Sequence, residues 1–99
     1  MLFRSNQELA LAAATVMDGS SRQPLMASIG TDGVDGPTDA AGAIADDTTL
    51  ARARRVGLPV PDAVFRANDT HAFFDALGDL VRTGPTGTNV GDLQVFLLA

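Results

Sequence analysis

Leu25-Met26-Ala27-Ser28-Ile29-Gly30-Thr31-Asp32-Gly33-Val34-Asp35-Gly36-Pro37-Thr38-Asp39 is the stretch on which the fold turns. Leu25 to Ile29 is a short apolar run that reads as a buried strand. Three glycines and three aspartates then crowd into the ten residues from Gly30 to Asp39. Ala40-Ala41-Gly42-Ala43-Ile44-Ala45 follows and reads as a helix opened by Thr38 or Asp39. A strand, a polar glycine-rich turn and a helix in that order point to an α/β domain.

The flanking segments extend the pattern. Upstream, Asn6 to Asp18 reads as a helix, with Leu9, Ala12, Ala13 and Val16 on one buried stripe and Gly19 as terminator. Ser5 and Glu8 fit a capping box at its start. Downstream, Asp47 or Thr48 caps a helix ending near Arg55 and Val56. Pro61 opens another that runs to about Ala67, and Asp69 or Thr70 opens a third through Phe73, Phe74 and Leu77. Leu80 to Arg82 and Leu93 to Leu98 read as strands, separated by a second glycine-rich loop, Thr83 to Asp92. The expected architecture is a layered α/β domain with a mixed sheet flanked by helices.

Composition bounds what such a domain can do. Its 99 residues make one domain. The apolar fraction is 45%, but much of it is alanine, and the aromatics are five phenylalanines without Trp or Tyr. The core should be thin and lean on a neighbouring domain. A net charge of −5 argues against nucleic-acid and anionic-membrane partners. All seven basic residues are arginine, so a lysine phosphate clamp or Schiff base is excluded from this stretch. The lack of cysteine removes disulfides and thiolate metal sites. No apolar run approaches the roughly 20 residues that cross a bilayer, and the first residues lack the pattern of a signal peptide. A cytoplasmic location is expected. Leu2-Phe3-Arg4-Ser5 matches the translated end of a sequencing adapter, so residues 1–5 are expected to be a non-native leader before a domain spanning 6–99.

Two loops have the residues for chemistry. Asp32, Asp35 and Asp39 follow a strand, and ligands of open α/β sheets gather beyond the carboxyl ends of strands. Carboxylates there could bind Mg²⁺, which takes oxygen ligands and keeps waters and substrate phosphates. They could equally cap helices and bond their own backbone in a turn-rich connection. The spacing is not that of an EF-hand. The second loop, Thr83-Gly84-Pro85-Thr86-Gly87-Thr88-Asn89-Val90-Gly91-Asp92, offers hydroxyls, an amide and open backbone that suit an anion, or simply joins two strands. It lacks the lysine of a P-loop. His71 is the single histidine and reads as a surface or half-buried structural residue, although a catalytic base remains an alternative.

Taken together, the two loops resemble a known family. Gly30-Thr31-Asp32-Gly33-Val34-Asp35-Gly36-Pro37-Thr38-Asp39-Ala40-Ala41-Gly42 closely resembles the signature of the MOFRL domain, the C-terminal half of class II glycerate kinases. Gly84-Pro85-Thr86-Gly87-Thr88-Asn89-Val90 with Asp92-Leu93 is similar to that family's second signature. Asn6-Gln7-Glu8-Leu9 is similar to its helix opening, and Asn68-Asp69-Thr70, Phe73-Phe74 and Leu77-Gly78-Asp79-Leu80 fall in the family's order. The family has Arg directly before the Asn-Gln-Glu-Leu segment; here Ser5 stands there, with Arg4 one position away.

The resemblance implies ATP- and Mg²⁺-dependent phosphorylation of D-glycerate in a cleft against an N-terminal Rossmann-like domain that this stretch does not contain. It implies Asp32 and Asp35 as catalytic and metal-binding residues. It implies Asn6, Glu8, Thr38, Asp39, Thr86, Gly87, Thr88 and Asn89 as substrate or phosphate ligands. Without the partner domain, the stretch alone should be inactive. A non-catalytic interaction or anion-binding domain is the alternative from another class. A related enzyme acting on a 2-hydroxy or 2-oxo acid, of the kind named hydroxypyruvate reductase, is a further one.

Overall fold

The computed structural model describes residues 5–36, 38–87 and 91–98. The chain runs α1 (Ser5–Met17), β1 (Leu25–Gly30), β2 (Gly42–Asp46), α2 (Thr49–Arg55), α3 (Pro61–Ala67), α4 (Thr70–Leu77), β3 (Leu80–Val81) and β4 (Asp92–Leu97). The strands form one sheet in the order β3-β2-β1-β4. The layered α/β class is therefore what the chain adopts.

Two expectations are corrected by one cause. Ala40 to Ala45 was expected to be a helix, yet its second part is strand β2. A parallel pair needs a long crossover, usually helical, and without that helix the chain returns beside β1 in the opposite sense. All three strand pairings are accordingly antiparallel, where a mixed sheet was expected. Alanine favours helix locally, but tertiary packing overrides so small a preference. Ala43 and Ala45 are fully buried, and α1 packs across β1 and β2. At Gly42 the missing side chain is required, since a Cβ would collide with the Ser28 carbonyl on the neighbouring strand.

The core lies between α1 and the sheet, with Leu11, Met17, Met26, Ala43, Ala45, Leu50, Val64, Phe73 and Phe74 at its centre. Phe73 and Phe74 meet edge to face, with ring centroids 5.2 Å apart. Helix α1 has the expected position and period but is turned. The expected stripe included Leu9 and Val16, which are 44% and 85% exposed. Asn6, Gln7, Ala10, Leu11, Ala14 and Met17 face inward instead. The cause is polar: the first turn is held to the sheet by hydrogen bonds described below.

Helices α2, α3 and α4 begin where the proline and threonine signals put them. Pro61 occupies the first turn of α3, and Gly78 closes α4 in a left-handed conformation. Thr48 holds the N-cap position of α2 but makes no side-chain cap bond. Asp46 Oδ1 instead accepts the Thr48 N–H at 2.8 Å and its hydroxyl at 2.7 Å.

The sheet face away from α1 carries Leu25, Ala27, Ile29, Ile44, Leu93, Val95 and Leu97, aligned by the strand register. All are partly or largely exposed. Every residue of the edge strand β4 is exposed. Among the described residues, no helix is long and apolar enough to cross a membrane.

Candidate functional site

Antiparallel pairing decides where the chemistry collects. At the end of the sheet where β1 finishes, β2 and β4 begin and β3 finishes. The loop leaving β1 and the loop leaving β3 must therefore share that end. Direct contacts join them. The Thr86 N–H donates to the Asp32 carbonyl at 3.1 Å, and the Thr86 hydroxyl donates to the Thr31 carbonyl at 2.7 Å. The Thr31 N–H and hydroxyl both reach the Gly91 carbonyl, at 3.0 and 2.7 Å. Gly33 lies so close to Gly84 that a Cβ on Gly33 would strike the Gly84 carbonyl. Its φ of +84° also favours glycine.

The N-terminus of α1 reaches the same place. Asp35 Oδ1 accepts the Asn6 N–H at 3.1 Å, and Oδ2 accepts the Gln7 N–H at 2.8 Å. These are two of the donors that the first turn of a helix leaves without intrahelical partners. The cap thus comes from a remote aspartate. The expected Ser5–Glu8 capping box is displaced, because Ser5 already lies inside the helix. Asn6 extends the network: its Nδ2 donates to Asp92 Oδ1 at 3.0 Å, and its Oδ1 accepts the Ser28 hydroxyl at 2.7 Å. Gln7 Nε2 donates to Thr38 Oγ1 at 3.0 Å, while Gln7 Oε1 is buried without a hydrogen-bond partner among the described residues.

The residues expected from sequence take different positions around this junction. Asp35 is 2% exposed, with both oxygens engaged by backbone donors. Asp32 is half-buried at the seam, and its Oδ1 accepts the Val34 N–H at 3.0 Å in a local turn. Asn6 and Thr38 lie in the network just described, whereas Glu8 sits half-buried on the first turn of α1. Thr86 and Gly87 are exposed on the second loop. Thr88 and Asn89 lie outside the described residues.

Asp39 is exposed and binds His71 Nε2 at 3.1 Å and Arg82 Nε at 3.2 Å. The hydrogen bonds from His71 and then Arg82 hold its carboxyl below the usual aspartate range, against the opposing effect of partial desolvation. Sequence reasoning missed Gln7, Ser28, Asp92 and Gln94, whose Nε2 reaches the Ser28 hydroxyl at 3.3 Å. It also missed Arg82. Only the density of polar residues near both loops hinted at a shared network.

Among the described residues, no group of three or more His, Cys, Asp or Glu side chains is placed to hold a metal ion. Magnesium bound mainly through phosphates and water needs only one or two protein carboxylates. Asp32, half-buried at the loop junction, fits that lesser demand. A second carboxylate from Asp35 would first have to leave its backbone donors.

Comparison with known proteins matches this architecture. The D-glycerate 2-kinase of Thermotoga maritima is 45% identical over 93 residues, covering 94% of this chain and 22% of that protein. The glycerate 2-kinase of Pyrococcus horikoshii is 40% identical over 93 residues, with 94% and 20% covered. A crystal structure of the Thermotoga maritima glycerate kinase superposes with a TM-score of 0.88 at 45% identity, over 95% of this chain and 22% of that one. The chain thus spans about one fifth of the length of the relatives it matches. Residues 4–92 match the MOFRL family, and the chain belongs to that family.

Proposed function

We propose that this chain forms one wall of the active site of a glycerate 2-kinase, which transfers the γ-phosphoryl group of ATP to D-glycerate. The observation that carries the reading is the convergence of both loops and the α1 N-terminus at one end of the sheet. Had the loops pointed to opposite faces, a docking domain would be the better reading.

Phosphoryl transfer depends on positioning and on neutralising phosphate charge. This end of the sheet is rich in carboxylates, and Arg82 is engaged by Asp39 and Asp75. Most of the positive charge must then come from the opposite wall, in the polypeptide beyond this stretch, and from Mg²⁺ carried with ATP. The exposed apolar sheet face and the bare edge of β4 fit a domain that leans on such a neighbour. On this reading the stretch alone is inactive. Asp32 faces the metal or the substrate and Gly87 faces phosphate or glycerate oxygens, while Thr86, whose N–H and hydroxyl both donate to carbonyls of the first loop, holds the two loops together. Asp35 holds α1 in place from behind, keeping Asn6 and Thr38 in the network that backs the site.

The test is to recover the full reading frame, express it, and measure ATP consumption with D-glycerate. Asp32→Asn should lower the rate about 100-fold, the effect of removing one strong electrostatic contact. Unchanged turnover in that variant removes Asp32 from the site, and no turnover in the unaltered polypeptide refutes the kinase reading.

A further inference from the structure

Four charged or titratable side chains close a ring at the foot of the two loops. His71 and Asp75 lie four residues apart on α4, so they share one face of that helix. His71 Nε2 meets Asp39 Oδ1 at 3.1 Å, at the end of the first loop. Asp75 Oδ1 accepts from Arg82 at 3.1 Å, and Arg82 directly precedes the second loop. The same guanidinium closes the ring on Asp39 Oδ2 at 3.2 Å. One helix thus holds the exit of the first loop and the entrance of the second, and the guanidinium joins the two.

Energetics indicate what such a ring is for. The side chains of Asp39, Asp75 and Arg82 are 69%, 55% and 45% exposed. Ion pairs in that setting add little to stability. Their geometry is more restrictive than their energy, because a planar guanidinium bridging two carboxylates permits few arrangements. Strand β3 contributes only two residues to the sheet, so the backbone ladder alone holds the start of the second loop weakly.

We propose that Arg82 and His71 are positioning residues that act through Asp39, fixing the two loops against each other so that Asp32 and Thr86 keep their spacing. Asp39 is then the joint of this clamp. The inference rests on the kinase reading for its functional consequence, while the clamp itself can be measured without activity.

The experiment uses the full-length polypeptide carrying this domain, with Arg82→Gln, Asp39→Asn and Arg82→Lys variants. Hydrogen exchange is followed in peptides covering residues 30–41 and 82–87. Arg82→Gln and Asp39→Asn should each speed exchange in both loops about threefold while α1 and β1 keep their protection, since local opening is separable from global unfolding and exposed ion pairs are worth a fraction of a kcal/mol. KM for D-glycerate should rise about tenfold with kcat changed less than about threefold, the signature of weakened binding geometry. Arg82→Lys, which keeps the charge, should recover part of both effects. Unchanged loop exchange in both neutral variants overturns the clamp, as does a rise spread equally over α1 and β1. Should the loops loosen as expected in a polypeptide that does not phosphorylate D-glycerate, the clamp stands and the kinase reading falls.

Discussion

Asp35 caps α1 from a distance in the chain, its Oδ2 accepting at 2.8 Å the amide of Gln7, 28 residues before it. Its Oδ1 takes the Asn6 amide beside it. The first glycine-rich loop is thereby fastened to the start of α1, and the polar turn and the helix become parts of one site. The same bonds turn Asn6 and Gln7 inward, which sets the face that α1 presents to the sheet.

Removing this cap leaves buried donors without partners. Asp35→Ala should lower the unfolding free energy by about 2–3 kcal/mol, the combined cost of a lost cap and unsatisfied amides. Asp35→Asn, which retains one acceptor oxygen, should cost about half as much. Urea denaturation of the polypeptide that carries the domain measures both. Equal stability of all three proteins would show that Asp35 does not hold α1.

Gly33 and Gly84 offer a paired test of loop contact. Both have positive φ, at +84° and +73°, but only Gly33 faces an obstruction, the Gly84 carbonyl. Gly84→Ala should therefore carry only the backbone cost of about 1 kcal/mol, whereas Gly33→Ala should exceed about 3 kcal/mol because the loops must also separate. Exchange of the Thr86 amide, which donates to Asp32, reports the separation directly. A milder effect at Gly33 than at Gly84 would contradict the close approach.

Acid should release the Asp39 joint. His71 and Arg82 hold its carboxyl below the ordinary value of 3.8. A depressed folded-state value means the group favours the folded form above the ordinary value. That contribution disappears as pH falls through the lowered value. Loop protection in residues 30–41 should thus persist down to about pH 4 and decline below it, with Asp39→Asn removing that step. A loop whose protection has the same acid profile in both proteins would rule the joint out.

Val95 tests the exposed sheet face. It is 39% exposed between Leu93 and Leu97, which are 51% and 58% exposed. Val95→Lys in the 99-residue stretch should reduce self-association in sedimentation, because it breaks an apolar patch. In the full-length polypeptide, where a neighbour is expected to cover this face, the same change should cost about 2 kcal/mol or more from lost burial. Equal tolerance in both settings would mean that the face is never covered.

Much of this chain can be read from local signals. Pro61 at the opening of α3, Thr48 and Asp69 before α2 and α4, and the apolar run from Leu25 to Ile29 each act within a few residues. They placed β1, α2, α3 and α4 close to their observed limits. The aspartates and glycines between Gly30 and Asp39, and the threonines between Thr83 and Thr86, likewise marked the polar loops without reference to anything distant.

Tertiary structure decided the rest, because the deciding partners lie far away in the chain. Whether Ala40 to Ala45 would be helix or strand depended on the room beside Ser28 and Met26, which alanine's local preference does not register. Which face of α1 is buried depended on Asp35, and the role of Asp39 depended on Arg82, 43 residues further on. Sequence alone marked both loops as polar and glycine-rich. Their meeting at one end of the sheet followed only from antiparallel pairing, which brings the ends of β1 and β3 to the same side.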